Sequence, residues 1–424
     1  MTEGWYKKMK KQKERGRSRK RKERDNKTKI RLVSAAVCIT GLFCLAVLYL
    51  HMRQQESREP DSGTVGEITA NAIQTGEELP SDQTVYYGYQ WALHNDGRLR
   101  QSTGAGPYRG GTVKAGVEGM DIHIEPAWDI YMQSADRRAV TVALIDTGVD
   151  ITHPELSDAI WTNPGEIPGD GIDNDGNGYV DDVNGWNFCA ATPQVFIGEE
   201  DTHGTHAAGT IAGRWDGKGI TGIADSDYVK IMVLKVLESE EGKGSSENVK
   251  AAIRYAEANG AEICNLSIGA SEYDPELEEL MGNSRMLFVV SAGNGDSRGY
   301  GYDLDERPAY PASYPSENII TVSNLMFDGS LYESSNFGRI SADLAAPGTY
   351  ILSTLPYGRY GFMTGTSMAA PMVTGTAALA ASCNPQRTMA EICQDILNSV
   401  RKTDGLEGKV ASGGILDVYG AMAH

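Results

Sequence analysis

Cysteine is scarce in this chain, 6 among 424 residues, which excludes a small disulfide scaffold. Basic residues are in deficit: 39 Lys and Arg against 57 Asp and Glu, a formal charge of −18. Evenly spread, that balance argues against general nucleic-acid binding. Histidine is rare as well, 7 in all, so each has to be read in its surroundings. From Tyr86 to His424 there is no internal repeat. The remaining composition is ordinary: 40% apolar and 23% charged residues describe neither a disordered nor a collagen-like protein. The length suits one large domain or two to three smaller ones.

The charge is not evenly spread. Residues 1–31 hold 15 Lys and Arg and 4 Asp and Glu, a local +11 that leaves −29 on the other 393 residues. Directly after comes Leu32–Leu50, LVSAAVCITGLFCLAVLYL, without a charge. As a helix it measures about 28 Å at ~1.5 Å per residue, close to a bilayer core. Basic residues ahead of such a segment hold the N-terminus in the cytoplasm and place the chain beyond His51 outside. One alternative is a cleaved signal that releases a secreted protein, but HMRQQESREP offers no A-x-A site; another is a basic nucleic-acid tail on a protein whose apolar run is a core helix. The polar stretch 51–85, punctuated by Pro60, Gly63, Gly66, Gly76 and Pro80, reads as a stalk or short pro-segment with too little apolar surface for a core. Residues 86–424 read as one globular domain.

Within that domain, short apolar runs alternate with helical patterns. Strands are expected at Val140–Asp146, Tyr228–Leu237, Ala261–Ile268, Leu287–Asn294 and Ile319–Leu325. Their continuous apolar character suits a parallel sheet buried on both faces. Helices are expected at Glu247–Asn259, Pro275–Met286, Thr366–Cys383 and Thr388–Val400. The alternation predicts an α/β domain with a mostly parallel sheet, in which functional residues gather where strands end.

Three motifs sit at such places. VTVALIDTGVD delivers Asp146 at the end of a buried strand; DTHGTHAAGTIAG is a small-residue helix with His203 in its first turn; GTSMAAP opens a helix with Ser367. A nucleophilic serine needs a base, and the base needs an acceptor that sets its tautomer. Asp146, His203 and Ser367 supply those roles if the three element ends meet. A helix start also leaves the Ser367 N–H unpaired, aimed at a developing oxyanion, and Asn294 in FVVSAGNGD offers a second donor. Singly these residues read as a turn residue, an N-cap and a loop amide. A zinc reading of His203 and His206 fails because their spacing is i,i+3 and the glutamate of H-E-x-x-H is missing.

Taken together, LIDTGVD, HGTHAAGTIAG, SAGN and GTSMAAP resemble the subtilisin-like serine proteases along almost all of Tyr86–Ala423. The Asp…His…Ser order matches theirs and differs from the orders of the chymotrypsin-like and α/β-hydrolase enzymes. The resemblance implies the subtilisin-like α/β fold, helices on both faces of a mostly parallel central sheet, and an endopeptidase. Ser367 would attack the scissile carbonyl, His203 would shuttle the proton, and Asp146 would orient His203. Asn294 and the Ser367 N–H would hold the oxyanion. His206 is expected inside the core. Substrate would add as a strand between Gly242-Lys243-Gly244 and Ser267-Ile268-Gly269, small residues permitting close backbone approach. Glu238, Glu240 and Glu241 nearby would favour basic residues upstream of the scissile bond. Competing readings are a catalytically inactive, calcium-stabilised binding module on the same fold, and an esterase or peptide ligase using the same triad.

Between Asp146 and His203 lies an acidic, glycine-rich insertion in which Asp173, Asp175 and Asn177 alternate ahead of Gly178, as at the opening of an EF-hand loop. A structural Ca²⁺ is expected there, with a carbonyl from Tyr179 and a further carboxylate from Asp181 or Asp182. Asn184 at the twelfth position and the lack of flanking helices exclude an EF-hand proper. Position in the family pattern suggests a weaker second site at Glu155 and Asp216. Catalysis needs no metal. One departure from the family is that only about 35 residues separate the apolar segment from Tyr86, too few for an ordinary folded propeptide. The expected partners are polypeptide substrates and a membrane, with no nucleic acid, and the catalytic domain is expected to be monomeric. Cys264 is expected as a free core thiol, and a Cys383–Cys393 pairing stays open.

Overall fold

The computed structural model describes residues 86–101, 114–238, 244–296 and 298–423. All belong to the larger of two units, Ile68–His424. The basic tail, Leu32–Leu50 and the stalk lie outside the described residues. Among the described residues no helix is long and apolar enough to cross a membrane.

Two short strands, β1 (Arg100–Gln101) and β2 (Lys114–Ala115), pair antiparallel ahead of helix α1 (Ile124–Gln133). Then come β3 (Val140–Asp146), β4 (Gly185–Asn187), α2 (Thr202–Ala212), β5 (Val229–Lys235), α3 (Ser246–Ala258), β6 (Ile263–Leu266) and α4 (Pro275–Asn283). The second half holds β7 (Leu287–Ser291), β8 (Ile319–Leu325), β9 (Leu344–Pro347), the hairpin strands β10 (Ile351–Leu355) and β11 (Arg359–Met363), and α5 (Thr366–Cys383). It closes with α6 (Met389–Ser399), β12 (Arg401–Lys402), β13 (Gly414–Ile415) and α7 (Val418–Met422).

The main sheet has nine strands in the order β12-β13-β9-β8-β7-β6-β3-β5-β4. Only β12–β13 is antiparallel. Side chains alternate across a strand, and β6 shows both faces in use. Cys264 and Leu266 pack into a cluster with Val249, Ile253 and Ala256 of α3 and Leu277 and Met281 of α4. Asn265 between them points the other way and accepts a 2.8 Å hydrogen bond from Thr374 Oγ1 of α5. Helices therefore cover both faces, as a buried parallel sheet requires. Helix α5 is buried along all 18 residues, which explains its lack of any polar stripe.

The expected strands at Val140–Asp146 and Ile319–Leu325 and the helix at Thr366–Cys383 have the observed bounds. The run Leu287–Asn294 stops as a strand at Ser291, because Gly293 adopts φ +96° and leaves the extended region. The hairpin β10–β11 has no expected counterpart. Its residues are mixed in polarity because its side chains serve α2: Thr354 Oγ1 and Ser353 Oγ donate to the carbonyls of Thr205 and His206, both at 2.7 Å.

Strand β3 has β5 on one side and β6 on the other. The chain therefore lays β4 and β5 on one side of β3 and the later strands of this sheet on the other, so the switch falls at β3. A crevice opens beyond the carboxyl ends of strands at such a point.

Candidate active site

Asp146 is the last residue of β3 and is 1% exposed. His203 is the second residue of α2 and is also buried. Its Nδ1 lies 2.7 Å from Asp146 Oδ1. A carboxylate can only accept, so Nδ1 carries the proton and Nε2 is left as the basic nitrogen. The Thr147 N–H also donates to Asp146 Oδ1, at 2.7 Å, which fixes the carboxylate plane.

Two glycines permit this approach. A Cβ on Gly204 would sit 2.2 Å from the Gly148 carbonyl, so any other residue beside His203 would push α2 away from the β3 turn. Gly148 itself has φ +119°, and a Cβ there would lie 2.5 Å from the Val195 carbonyl. The turn and the helix start close only because both side chains are absent.

Ser367 is the second residue of α5. Pro371 lies four residues on and has no N–H to give the Ser367 carbonyl. Ser267 Oγ donates to that carbonyl instead, at 3.3 Å. Asn265 Nδ2 donates to Ser267 Oγ at 3.1 Å, and Asn265 Oδ1 is held by Thr374. The helix thus surrenders one of its own bonds at the serine, and the neighbouring strand end supplies the replacement.

Asn294 lies just past the end of β7. Its Oδ1 accepts from the Thr366 N–H at 2.8 Å and from Thr366 Oγ1 at 3.0 Å. A backbone N–H only donates, so this pin settles the amide orientation and leaves Nδ2 as the outward group. Thr366 is in turn held through its Oγ1 by the Gly293 N–H at 3.1 Å.

His203, Ser367 and Asn294 line one cleft of ≈ 850 Å³, together with Gly244, Ser267, Ile268 and Gly269. Gly242 and Lys243 lie outside the described residues. Glu240 and Glu241 do too, and Glu238 is exposed. Among the described residues, the acidic side chains on the cleft wall are Glu272 and Asp274. Asp274 is committed, capping α4 and lying 3.4 Å from Lys250 Nζ. Its carboxyl is held below the ordinary range first by the Ser246 hydroxyl.

His206 sits one turn along α2 and stays outside this group. Its Nε2–H donates to the Ile351 carbonyl at 2.8 Å. Complete burial lowers its pKa to about 4, so it is a neutral core residue. Cys189, Cys264, Cys383 and Cys393 are all free thiols.

The acidic loop holds a separate cluster. Oxygens of Glu166, Asp173 and Asp175 lie within 4.8 Å of one another. Asp173 accepts from the N–H groups of Gly178, Gly176 and Asn177, and these, Gly178 foremost, hold its carboxyl below the ordinary range. Asn177 Nδ2 reaches Asp175 and Asp182. Asp182 is fully buried and also accepts from Asn163 Nδ2 and the Tyr255 hydroxyl. Asp181 instead uses both oxygens on the N–H groups of Gly169, Asp170 and Gly171. Tyr179 packs its ring on Trp186, Phe188 and Tyr255. Glu166 is the residue that sequence spacing missed, because it lies outside the alternating run. At Glu155, burial raises the carboxyl pKa to about 7. Its Oε1 accepts from the Tyr360 hydroxyl at 2.8 Å, whereas Asp216 accepts from the Lys218 N–H.

Comparison with known proteins places these residues in context. The subtilase family profile matches residues 137–421. The major intracellular serine protease of Bacillus subtilis (strain 168) is 35% identical over 261 residues, 61% of this chain and 73% of that protein. Subtilisin-like protease 1 of Plasmodium berghei (strain Anka) is 31% identical over 302 residues, 67% of this chain and 49% of that protein. Among solved structures, fervidolysin from Fervidobacterium pennivorans, described as a keratinolytic enzyme related to subtilisin, aligns with TM-score 0.57 and 25% identity. That alignment covers 71% of this chain and 45% of fervidolysin. The chain thus spans about half the length of the Plasmodium relative and less than half of fervidolysin.

Proposed function

Because the chain belongs to the subtilase family of serine proteases, we propose that it is an extracytoplasmic endopeptidase whose triad is Asp146, His203 and Ser367. The observation that carries this reading is the buried 2.7 Å Asp146–His203 bond, opening on the same cleft as Ser367 and the outward amide of Asn294. Ser367 Oγ attacks the scissile carbonyl while its proton passes to His203 Nε2. The imidazolium is stabilised by Asp146. The tetrahedral oxyanion takes hydrogen bonds from Asn294 Nδ2 and the Ser367 N–H. His203 then returns the proton to the leaving amine, and water repeats the sequence on the acyl-enzyme. Substrate backbone pairs with Gly242–Gly244 on one side and Ser267–Gly269 on the other.

Labelling by an active-site serine phosphonate tests this. Wild type labels and Ser367→Ala does not; an unlabelled wild type would favour the inactive binding module.

The acidic loop is assigned a structural Ca²⁺. Its donors are all hard oxygens, and three carboxylates converge at Glu166, Asp173 and Asp175 with Asp182 beneath them. Asn177 and the Tyr179 carbonyl remain in the proposed set, whereas the bonds made by Asp181 suit it to hold the turn. Bound there, the cation would offset the mutual repulsion of the carboxylates. Location follows from Leu32–Leu50 and the basic residues before it, which suit a single-pass anchor with the protease outside. Retention of the full chain in an alkali-washed membrane pellet is the expected result; release into the supernatant would favour the secreted form.

A further inference from the structure

One buried ion pair beside the catalytic residues has no part in the chemistry above. Lys235 ends β5 and is the register partner of Asp146 at the end of β3. It is 1% exposed, and Asp201, its partner at 2.8 Å, is fully buried. We propose that the Lys235–Asp201 pair is a positioning device that sets the separation of Asp146 and His203 and the foot of the substrate-binding loop. The inference rests on the triad reading.

A buried ammonium needs acceptors for its protons, and the identity of those acceptors carries the argument. Besides Asp201 Oδ1, Lys235 Nζ donates to the carbonyl of Thr147, the residue after Asp146. It also reaches the carbonyls of Leu237 at 2.9 Å and Glu238 at 3.2 Å. Those two residues begin the segment leading to Gly244 in the cleft. On the other side of the pair, Asp201 is the residue before α2 and lies two before His203. Its second oxygen accepts from the N–H groups of Ile197 and Gly198. One ammonium therefore ties together three chain segments: the turn after Asp146, the start of the His203 helix and the root of the loop.

Thr147 closes the arrangement from the opposite direction, its Oγ1 accepting from the Gly204 N–H at 3.1 Å. Asp201 Oδ1 takes one of the three ammonium protons, and the carbonyls that share the other two come from the turn after Asp146 and the root of the loop. Lys235 and Asp201 escape a motif search because neither belongs to the reacting groups. The signal in the sequence is a lysine ending the otherwise apolar run IMVLK.

The test compares wild type, Asp201→Asn and the double variant Lys235→Met/Asp201→Asn in the full chain. Phosphonate labelling of wild type and its loss in Ser367→Ala are checked first, so failure of the triad reading is seen separately. The double variant has no uncompensated buried charge, yet it leaves the Thr147, Leu237 and Glu238 carbonyls without their donor. For a positioning role it unfolds cooperatively but loses about tenfold to a hundredfold in kcat, with a smaller change in KM. The acid limb of its kcat/KM profile moves because the Asp146–His203 bond is no longer held in place. Recovery of wild-type kcat and pH profile in the double variant would reduce the pair to a structural one and overturn the proposal. If the double variant does not fold, Lys235→Arg replaces it. That change keeps the charge against Asp201 but moves the donors, so kcat is expected to fall, and wild-type kcat with an unmoved acid limb would likewise overturn it.

Discussion

The cleft and the acidic loop are both built from polar side chains, and they are assembled in opposite ways. In the cleft, the decisive bonds join residues far apart in sequence: 57 positions between Asp146 and His203, 72 between Asn294 and Thr366, 100 between Ser267 and Ser367. In the loop they are short-range: 5 positions from Gly178 to Asp173, 12 from Gly169 to Asp181, 19 from Asn163 to Asp182. The Tyr255 hydroxyl on Asp182 is a long-range tie, 73 positions away. The cleft exists only when the whole sheet has formed, whereas the loop is shaped mainly by its own backbone turns. Damage at one should therefore be read in turnover, and damage at the other in stability.

The largest effect expected from this contrast is at Ser367. Ser367→Ala should lower kcat by about 10⁴-fold or more with little change in melting temperature, since a small hydroxyl is lost from a helix start. A comparable fall in both would show that the two regions are not separable. Next comes Asn294→Ala, which should cost about 10²–10³ in kcat, measured on a peptide substrate with KM followed in parallel. A loss confined to KM would take Asn294 out of the oxyanion site.

The third effect concerns the core beneath the cleft. The folded state holds His206 neutral with a pKa of about 4, against an ordinary value of 6.5. Between those values the unfolded chain binds more protons, so stability falls as pH drops through this window. The loss amounts to about 3 kcal/mol at ~1.4 kcal/mol per pKa unit. Denaturant melts at pH 7 and pH 4.5 should show it, and His206→Asn should flatten the difference between them. An equally steep acid loss in that variant would assign the effect elsewhere.

The smallest effect expected is at the loop. Chelator should lower the melting temperature by a few degrees, about 1 kcal/mol, and leave initial-rate kcat below the transition unchanged. Asp175→Asn should remove the chelator sensitivity. A melt indifferent to chelator would count against the calcium assignment.

The reach of sequence reading follows the same division. The largely apolar runs at Val140–Asp146 and Ile319–Leu325 announce buried strands, and the observed strands have those bounds. The short strands Gly185–Asn187 and Leu344–Pro347 carry too few residues for any periodicity to register. The hairpin that packs along α2 is equally silent, since its polar residues are chosen for carbonyls on another element. Within the acidic loop the alternation at Asp173, Asp175 and Asn177 is visible to inspection. Glu166 is not, because only the folded turn carries it back to Asp173.

Taken alone, the sequence determined the kinds of groups available and their chain order. It held a carboxylate ending one apolar run, an imidazole in the first turn of a small-residue helix and a hydroxyl opening another. Residue type and local periodicity suffice for that. Tertiary structure alone decided which atoms meet. It turned Asn294 so that Thr366 takes its oxygen and Nδ2 faces outward. It gave the Ser367 carbonyl to Ser267, because Pro371 has no N–H to offer. It also buried Lys235 among the carbonyls of Thr147 and Leu237. The physical reason is that hydrogen-bond partners are chosen by proximity and direction at a distance of about 3 Å, and only closing the sheet brings these segments that near.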